Sequence, residues 1–252
     1  MSSNRMAVAL FASDAVGLEV ARIFRDRGDR VALLVLDHGD ERGTNQMIRD
    51  VLAGRVDVVV DDTELPHDLL AQVDIALLAW WPRIIPKEVA ALPRRGFLNF
   101  HPSLLPFNRG KHYNFWAIVE EAPFGVSIHW LGERVDAGDI AFQMPIATSW
   151  TDTGETLYAK ARAAMVELFG ENYERIMQGD IPRVPQDLTR GSFHRAVELD
   201  DASRIDLEKQ YRGRDLLNLL RARTFPPHPA AWFVDGDEMF EVRVEIRKVE
   251  NR

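Results

Sequence analysis

The sequence predicts an α/β protein: a Rossmann-like, mostly parallel sheet with helices on both faces, plus a small C-terminal α+β appendage ending in a hairpin. Three observations predict it. Up to Gly179-Asp180, short continuous apolar runs alternate with apolar residues at helical spacing, which is how strands buried on both faces read when helices cross between them. Beyond that point the chain turns polar and proline-punctuated. At 252 residues and 46% hydrophobic composition, the chain suffices for one large core with a small addition. The expected boundaries are 1–180 for the main domain and 181–252 for the appendage.

Taken in order, Met6 to Phe11 reads as a buried strand, and Val16, Val20, Ile23 and Phe24 predict a helix that stops at Gly28. The alternation continues through a strand at Val31 to Leu36, a helix at Gln46 to Leu52, a strand at Val56 to Val60, a helix at Leu65 to Gln72 and a strand at Asp74 to Trp81. A helix near Lys87 to Leu92, a strand at Phe97 to His101 and a helix carrying Phe115, Trp116, Ile118 and Val119 follow. Strands are expected at Phe124 to Leu131 and Ile140 to Ala147, then a long helix from Thr153 to about Gln178. In the appendage, Arg214 to Ala222 reads as a helix, and strands at Ala231 to Val234 and Phe240 to Ile246 flank the hairpin signal Asp235-Gly236.

Composition narrows the function. The chain has no cysteine, which excludes disulfides, thiolate zinc sites and a cysteine nucleophile; the scattered histidines predict no metal site. A net charge of −8 offers phosphate backbones no general attraction, so no nucleic-acid partner is expected. No stretch reaches the roughly 20 apolar residues that span a bilayer, and the N-terminus shows no cleavage pattern. A soluble cytoplasmic enzyme of small molecules is expected. The turn Phe11-Ala-Ser-Asp-Ala-Val-Gly17 lacks the glycine fingerprint of a dinucleotide site.

In Phe97-Leu98-Asn99-Phe100-His101-Pro102, residues i and i+2 of a strand share a face, so Asn99 and His101 project together and Leu98 and Phe100 point oppositely. Pro102 ends the strand at His101, and strand carboxyl ends are where open α/β sheets bind ligands. On spacing alone, bonds to loop backbone suit the pair better than a site does.

The wider segments, Asn-Phe-His-Pro-Ser-Leu-Leu-Pro-Phe-Asn-Arg-Gly at 99–110 and Val-Asp-Ala-Gly-Asp-Ile at 135–140, together resemble the formyltransferases that use 10-formyltetrahydrofolate. These include the glycinamide ribonucleotide, methionyl-tRNA and sugar N-formyltransferases. The resemblance spans roughly residues 75–160 and implies Asn99, His101 and Asp136 as catalytic residues in a domain over 1–180. An amine attacking a formyl carbon generates an oxyanion, which the Asn99 amide would meet as donor. His101 would shuttle the proton, and Asp136 would orient it or favour its charged form. Asp136 also suits a local turn bond before Gly138.

The resemblance further implies N10-formyltetrahydrofolate as co-substrate, lying between the loops at 80–85 and 131–139, with Trp81, Arg83, Ile84 and Val135 as contacts. Core packing is the alternative for the tryptophans, and a solvated helix start for Arg83. The segment at 107–118 is similar to that of sugar N-formyltransferases, as is Thr151 to Tyr158. It implies a nucleotide-linked amino dideoxy sugar as acceptor, a 4-amino or 3-amino 6-deoxyhexose on dTDP or GDP, destined for lipopolysaccharide O-antigen or another surface glycan. Arg109 and Lys111 would meet the diphosphate, and Asn108, His112 and Asn114 the sugar; each also suits a solvated helix entry.

Arg221-Ala-Arg-Thr-Phe-Pro-Pro-His-Pro-Ala-Ala-Trp-Phe233 resembles the stretch that follows the catalytic domain in sugar and methionyl-tRNA enzymes, with Ala230 where glycine is usual. The final hairpin implies a homodimer interface, with Val242, Val244 and Ile246 available to it or to their own domain. The alternatives are formylation of another small amine, hydrolysis of formyl-folate, and a non-enzymatic nucleotide-sugar or folate binding module.

Overall fold

The computed structural model describes residues 5–249. In chain order the first elements are β1 (Val8–Ala12), α1 (Asp14–Arg27), β2 (Val31–Leu36), α2 (Thr44–Val51), β3 (Val56–Asp61), α3 (His67–Leu70), β4 (Ile75–Ala79), α4 (Lys87–Ala90) and β5 (Phe97–His101). There follow β6 (Arg109–Gly110), α5 (Tyr113–Val119), β7 (Gly125–Trp130), β8 (Ile140–Pro145) and the long α6 (Gly154–Gln178). The last are a 3₁₀ turn (Leu188–Arg190), β9 (Phe193–His194), α7 (Glu198–Ala202), α8 (Gly213–Ala222), β10 (Ala231–Asp235) and β11 (Glu238–Val242).

Seven strands form one sheet in the order β3-β2-β1-β4-β5-β7-β8. Strands β3, β2, β1, β4 and β5 pair in parallel, and β7 joins β5 antiparallel with Asn99 opposite His129. The expected fold class is therefore the observed one. The order reverses beside β1, so ligands are expected outside the carboxyl ends near β1 and β4.

Periodicity explains the layers. On one face Phe11 and Phe97 meet edge-on at 5.5 Å, over a core of Leu33, Val35, Ala76, Leu78 and Val89. On the other, Phe100 lies 5.3 Å from Phe169 of α6, and Tyr173 lies 5.3 Å from Phe24 of α1. Both faces of β5 are thus covered, and Asn99 and His101 continue along the Phe97 face. Edge strand β3 alternates intermediate and exposed residues, as a strand with one solvated side must. Gly28 caps α1 at φ 79° and donates its N–H to the Arg25 carbonyl, a conformation glycine reaches without a Cβ clash.

The chain forms two compact units. One runs to His101 and takes in Ser127–Met144 and Ala164–Gln186; the other holds Pro102–Val126, Pro145–Ala163 and the chain from Asp187. Within the second unit α5 packs on α8, β6 pairs with β9 in parallel, and β10 with β11 antiparallel. Three expectations shift here. The helix at 65–72 is only His67–Leu70, because its N-terminal part carries Pro66. The last strand is Glu238–Val242 rather than 240–246, because the turn pairs Asp235 directly with Glu238. Ala230 is fully buried and its φ is not positive, so the turn accepts a Cβ there. Among the described residues no helix is long and apolar enough to cross a membrane.

Candidate active site

Asn99 and His101 leave the end of β5 on one face, and Asp136, from the turn after β7, meets both. Asn99 Nδ2 donates to Asp136 Oδ1 at 3.3 Å, and His101 Nδ1 stands 3.4 Å from Asp136 Oδ2. His101 is 5% exposed, so its ring works in a medium where charge interactions are strong.

The structure adds a fourth member that the sequence reading does not name. His129 of β7, fully buried, sits across the ladder from Asn99 with its Nε2 3.1 Å from Asn99 Nδ2 and 3.5 Å from Asp136 Oδ1. Its Nδ1 lies 2.8 Å from the Trp130 carbonyl, which only accepts, so Nδ1 carries the proton and Nε2 accepts from Asn99. The signal was available: Ser127 and His129 are alternate polar residues inside an apolar strand, which a one-sided polar pocket requires.

The turn that delivers Asp136 is constrained. Asp136 has φ 50°, a left-handed conformation uncommon outside glycine. Gln186 Nε2 donates to the carbonyls of Asp136 (3.0 Å) and Gly138 (2.6 Å). A Cβ on Gly138 would overlap the Trp130 carbonyl oxygen, so only glycine lets the turn fold back on β7.

Of the folate candidates, Trp81 is partly buried, edge-on to Phe11 at 5.2 Å. Arg83 binds Asp37 at 2.6 Å and also Asp62. These aspartates follow β2 and β3, and His38 Nδ1 completes the cluster 2.7 Å from Asp62. Opposed by burial but favoured by bonds from His38 and the charge of Arg83, Asp62 has a lowered pKa. Asp37, His38 and Asp62 could by spacing hold a cation, but the Arg83 guanidinium already supplies that charge. Ile84 is 80% and Val135 45% exposed, leaving two apolar side chains uncovered on the loops after β4 and β7.

The acceptor candidates divide in the second unit. Asn108 is buried and donates to Glu120 (2.9 Å) and Ser192 (3.3 Å); Asn114 donates to the Gly154 carbonyl at 2.8 Å. Arg109 is 9% exposed, its guanidinium 6.0 Å from the Phe193 ring centre, and its backbone pairs with β9. Lys111 is exposed, and its side chain makes no hydrogen bond or ion pair among the described residues. His112, at φ 59°, precedes α5; burial, then the charges of Arg223 and Lys111, lower its pKa.

Known proteins bear on this geometry. The family described as formyl transferase matches residues 58–171, a span holding all four clustered residues, and the N-formyltransferase dimerization C-terminal domain matches 198–248. A 4-N formyltransferase from Francisella tularensis superposes with a TM-score of 0.79 at 21% identity, over 98% of this chain and 100% of that one. A sugar N-formyltransferase from a Shewanella species gives 0.76 at 17% identity, over 97% and 99%. An N-formyltransferase from Helicobacter canadensis, in complex with folinic acid and dTDP-3-aminofucose, gives 0.67 at 15% identity, over 92% and 85%. The ordered pair of motifs, the domain matches and the shared fold agree: the chain carries a formyl transferase domain over residues 58–171 and an N-formyltransferase dimerization C-terminal domain over 198–248.

Proposed function

We propose that the protein transfers a formyl group from N10-formyltetrahydrofolate to the amino group of a nucleotide-linked amino dideoxy sugar. The acceptor we favour is a dTDP-linked 4-amino-6-deoxyhexose, ahead of 3-amino and GDP-linked sugars. The observation that carries the chemistry is one carboxylate, Asp136, facing Asn99, His101 and His129. The sugar half leans on the resemblance of residues 107–118 and on the ligands and specificities of the Francisella and Helicobacter proteins.

The folate supplies the formyl carbon. A flat pterin needs apolar cover and backbone or amide groups at its edge. Ile84 and Val135 offer the first, with Trp81 and Arg83 beside Ile84 in sequence. Gln186 Oε1, buried beside the Asp136 turn with no hydrogen-bond partner, offers an acceptor for an N–H at that edge. The residues present therefore fit the group.

As the amine nitrogen bonds the formyl carbon, its oxygen gains negative charge. Asn99 meets that charge by turning toward it the amide N–H that it otherwise donates to Asp136. His101, oriented by Asp136, takes the proton the amine loses and returns one to the departing folate nitrogen. His129 holds Asn99 in register by accepting its other amide proton. Lys111 and His112 bind the acceptor, and Asn108, Arg109 and Asn114 shape the loop that carries them.

In this reading residues 1–180 carry catalysis and 181–252 form an appendage through which two copies pair, by way of the exposed Val234, Met239 and Phe240 of the β10–β11 hairpin. The setting is the cytoplasm of a bacterium building lipopolysaccharide O-antigen or another surface glycan. The test mixes purified protein with 10-formyltetrahydrofolate and a panel of dTDP-, GDP- and UDP-linked amino sugars. A formyl mass gain on a dTDP-linked sugar is expected. Folate turnover without an acceptor, and no formylated sugar, overturns the reading in favour of a hydrolase.

A further inference from the structure

The loop after β4 alternates. From Trp81 to Pro86 partly buried and exposed residues follow one another strictly, with Trp81, Arg83 and Ile85 turned toward the sheet and Pro82, Ile84 and Pro86 toward solvent. Trp81 and Ile85 pack on the core that holds Phe11, and Trp81 meets that ring edge-on at 5.2 Å. Arg83, between them, is the charged member of the inward set, and two carboxylates receive it.

The guanidinium spans both. Its Nη2 lies 2.6 Å from Asp37 Oδ1, and its Nη1 bonds Asp62 Oδ2. Asp37 follows β2 and Asp62 follows β3, whereas the loop follows β4, so the fork reaches across the end of β1, which lies between. The end of β1 joins in: the Ser13 hydroxyl donates to Asp37 Oδ2 at 3.4 Å, and the Ser13 N–H to the Ala79 carbonyl at 3.2 Å. Each carboxylate is aimed by its own segment, for the Gly39 N–H donates to Asp37 Oδ1 at 2.8 Å and the His38 N–H to Asp62 Oδ1 at 2.9 Å. The Asp37 and Asp62 side chains are 11% and 5% exposed, and carboxylates so buried keep their charge where a cation meets them. A planar fork between two fixed carboxylates has little freedom left. The ends of β1, β2 and β3 therefore hold one residue of the loop, and its neighbour Ile84, 80% exposed, is presented outward.

We infer that Asp37 and Asp62 are positioning residues for the co-substrate: acting through Arg83, they set the outward stretch Pro82 to Ile84 against which the folate lies, and Arg83 is not itself a folate contact. This rests on the reading of the loop at 80–85 as a wall of the folate pocket. With both terminal nitrogens engaged by carboxylates on the inward side, Arg83 has no fork to offer a folate carboxylate on the outward side. A wall already held in one shape also spares the ligand the cost of ordering it on binding.

The test uses the full chain and 5-formyltetrahydrofolate, with binding followed by calorimetry in the absence of any acceptor. Asp37→Asn/Asp62→Asn keeps the shape of both side chains and removes the charges that hold Arg83, whose 36% exposure lets water take up the guanidinium. The double variant should bind the folate about tenfold more weakly. In turnover its KM for 10-formyltetrahydrofolate should rise by a similar factor, with kcat at saturation within about threefold of wild type. An arginine that contacts the folate predicts the opposite sign: freeing its guanidinium and deleting two negative charges beside an anionic ligand would tighten binding. Arg83→Lys sharpens the separation, because an ammonium keeps a direct charge contact but cannot span two carboxylates, and it should weaken the folate several-fold. Should the double variant fail to fold, Asp37→Asn alone carries the test, with several-fold weaker binding expected. Equal or tighter folate binding in the folded double variant, or in its Asp37→Asn stand-in, overturns this inference alone, as does wild-type affinity in Arg83→Lys or a fall in kcat at unchanged KM. Wild type that binds no 5-formyltetrahydrofolate overturns the folate reading, and this inference with it.

Discussion

The histidine–carboxylate clusters at the end of β5 and on β9 are built to opposite rules. At the end of β5 a single carboxylate, Asp136, faces Asn99, His101 and His129 at 3.3, 3.4 and 3.5 Å. On β9 the ratio inverts: His194 has Glu120 2.7 Å from Nε2 and Glu198 3.2 Å from Nδ1, and its ring lies flat on Trp116, 3.7 Å between centres at 8°. Glu120 also accepts from Asn108 and Ser192. Where Asn99, His101 and an unprotonated His129 Nε2 crowd one carboxylate at the long limit of hydrogen bonding, partners can be exchanged cheaply when charge develops nearby. Where one ring has both nitrogens spent and one face covered, it is fixed. The first arrangement suits chemistry; the second clamps the loop at 107–112 to the segment around β9.

The largest effect should break the first cluster. Asn99→Ala and His101→Ala are each expected to lower kcat/KM by about 10²–10⁴, with the urea midpoint little changed. Near-normal turnover in either variant would reduce the cluster to a structural one. Asp136→Asn keeps the shape and removes the charge, so it should share the loss in kcat if the carboxylate works through His101.

Asp152 enlarges the clamp side of the comparison. Its side chain, 6% exposed, binds Lys160 at 2.8 Å and accepts from the Ser149 N–H (2.7 Å) and Thr156 (3.1 Å). Burial alone would raise its pKa, but the bonds from Lys160, Ser149 and Thr156 outweigh it and the pKa is lowered. A carboxylate with a depressed folded pKa stabilises above its unfolded value of about 3.9, and that contribution is lost as pH falls through the lower folded value. Asp152→Asn is therefore expected to cost about 3 kcal/mol at neutral pH. The gap from wild type should close in denaturation curves taken below about pH 3.9; a gap independent of pH would mean the cost is packing.

Glu120→Gln should be milder. It leaves an acceptor for Asn108 or Ser192 but none of the charge that holds His194, so a loss of about 1–3 kcal/mol is expected in the urea midpoint. The kcat should stay within about threefold of wild type. A much larger kcat loss at unchanged stability would move His194 from clamp to chemistry.

The sheet and the Asn99–His101 pair were legible in the sequence; the clamp around His194 was not, and the limits have physical reasons. The parallel sheet was readable because buried strands such as Val31–Leu36 announce themselves as unbroken apolar runs, and Gly28 stops a helix by backbone preference alone. Asn99 and His101 were placed on one face by the two-residue period of a strand. Asp136 was not reachable that way: it joins them through a left-handed turn held by Gln186, some fifty residues on, a contact no local period encodes. His129 hid in a strand that reads as apolar. The two-residue ladder β6–β9 is too short to have a period.

The smallest effect sharpens the contrast inside the clamp. Trp116 contributes a stacked ring to His194 but carries a buried Nε1–H with no acceptor, so its two parts act with opposite sign. The ring favours the folded state by dispersion and stacking, about 0.5–1.5 kcal/mol beyond area, whereas the unsatisfied N–H opposes it. Trp116→Leu loses the stack and the N–H together; Trp116→Phe keeps a stacking face and loses only the N–H and some volume. The phenylalanine variant is therefore expected to be the more stable of the two by about 1 kcal/mol in thermal denaturation. Equal stabilities would mean that stacking contributes nothing measurable and that Glu120 and Glu198 alone hold the His194 ring.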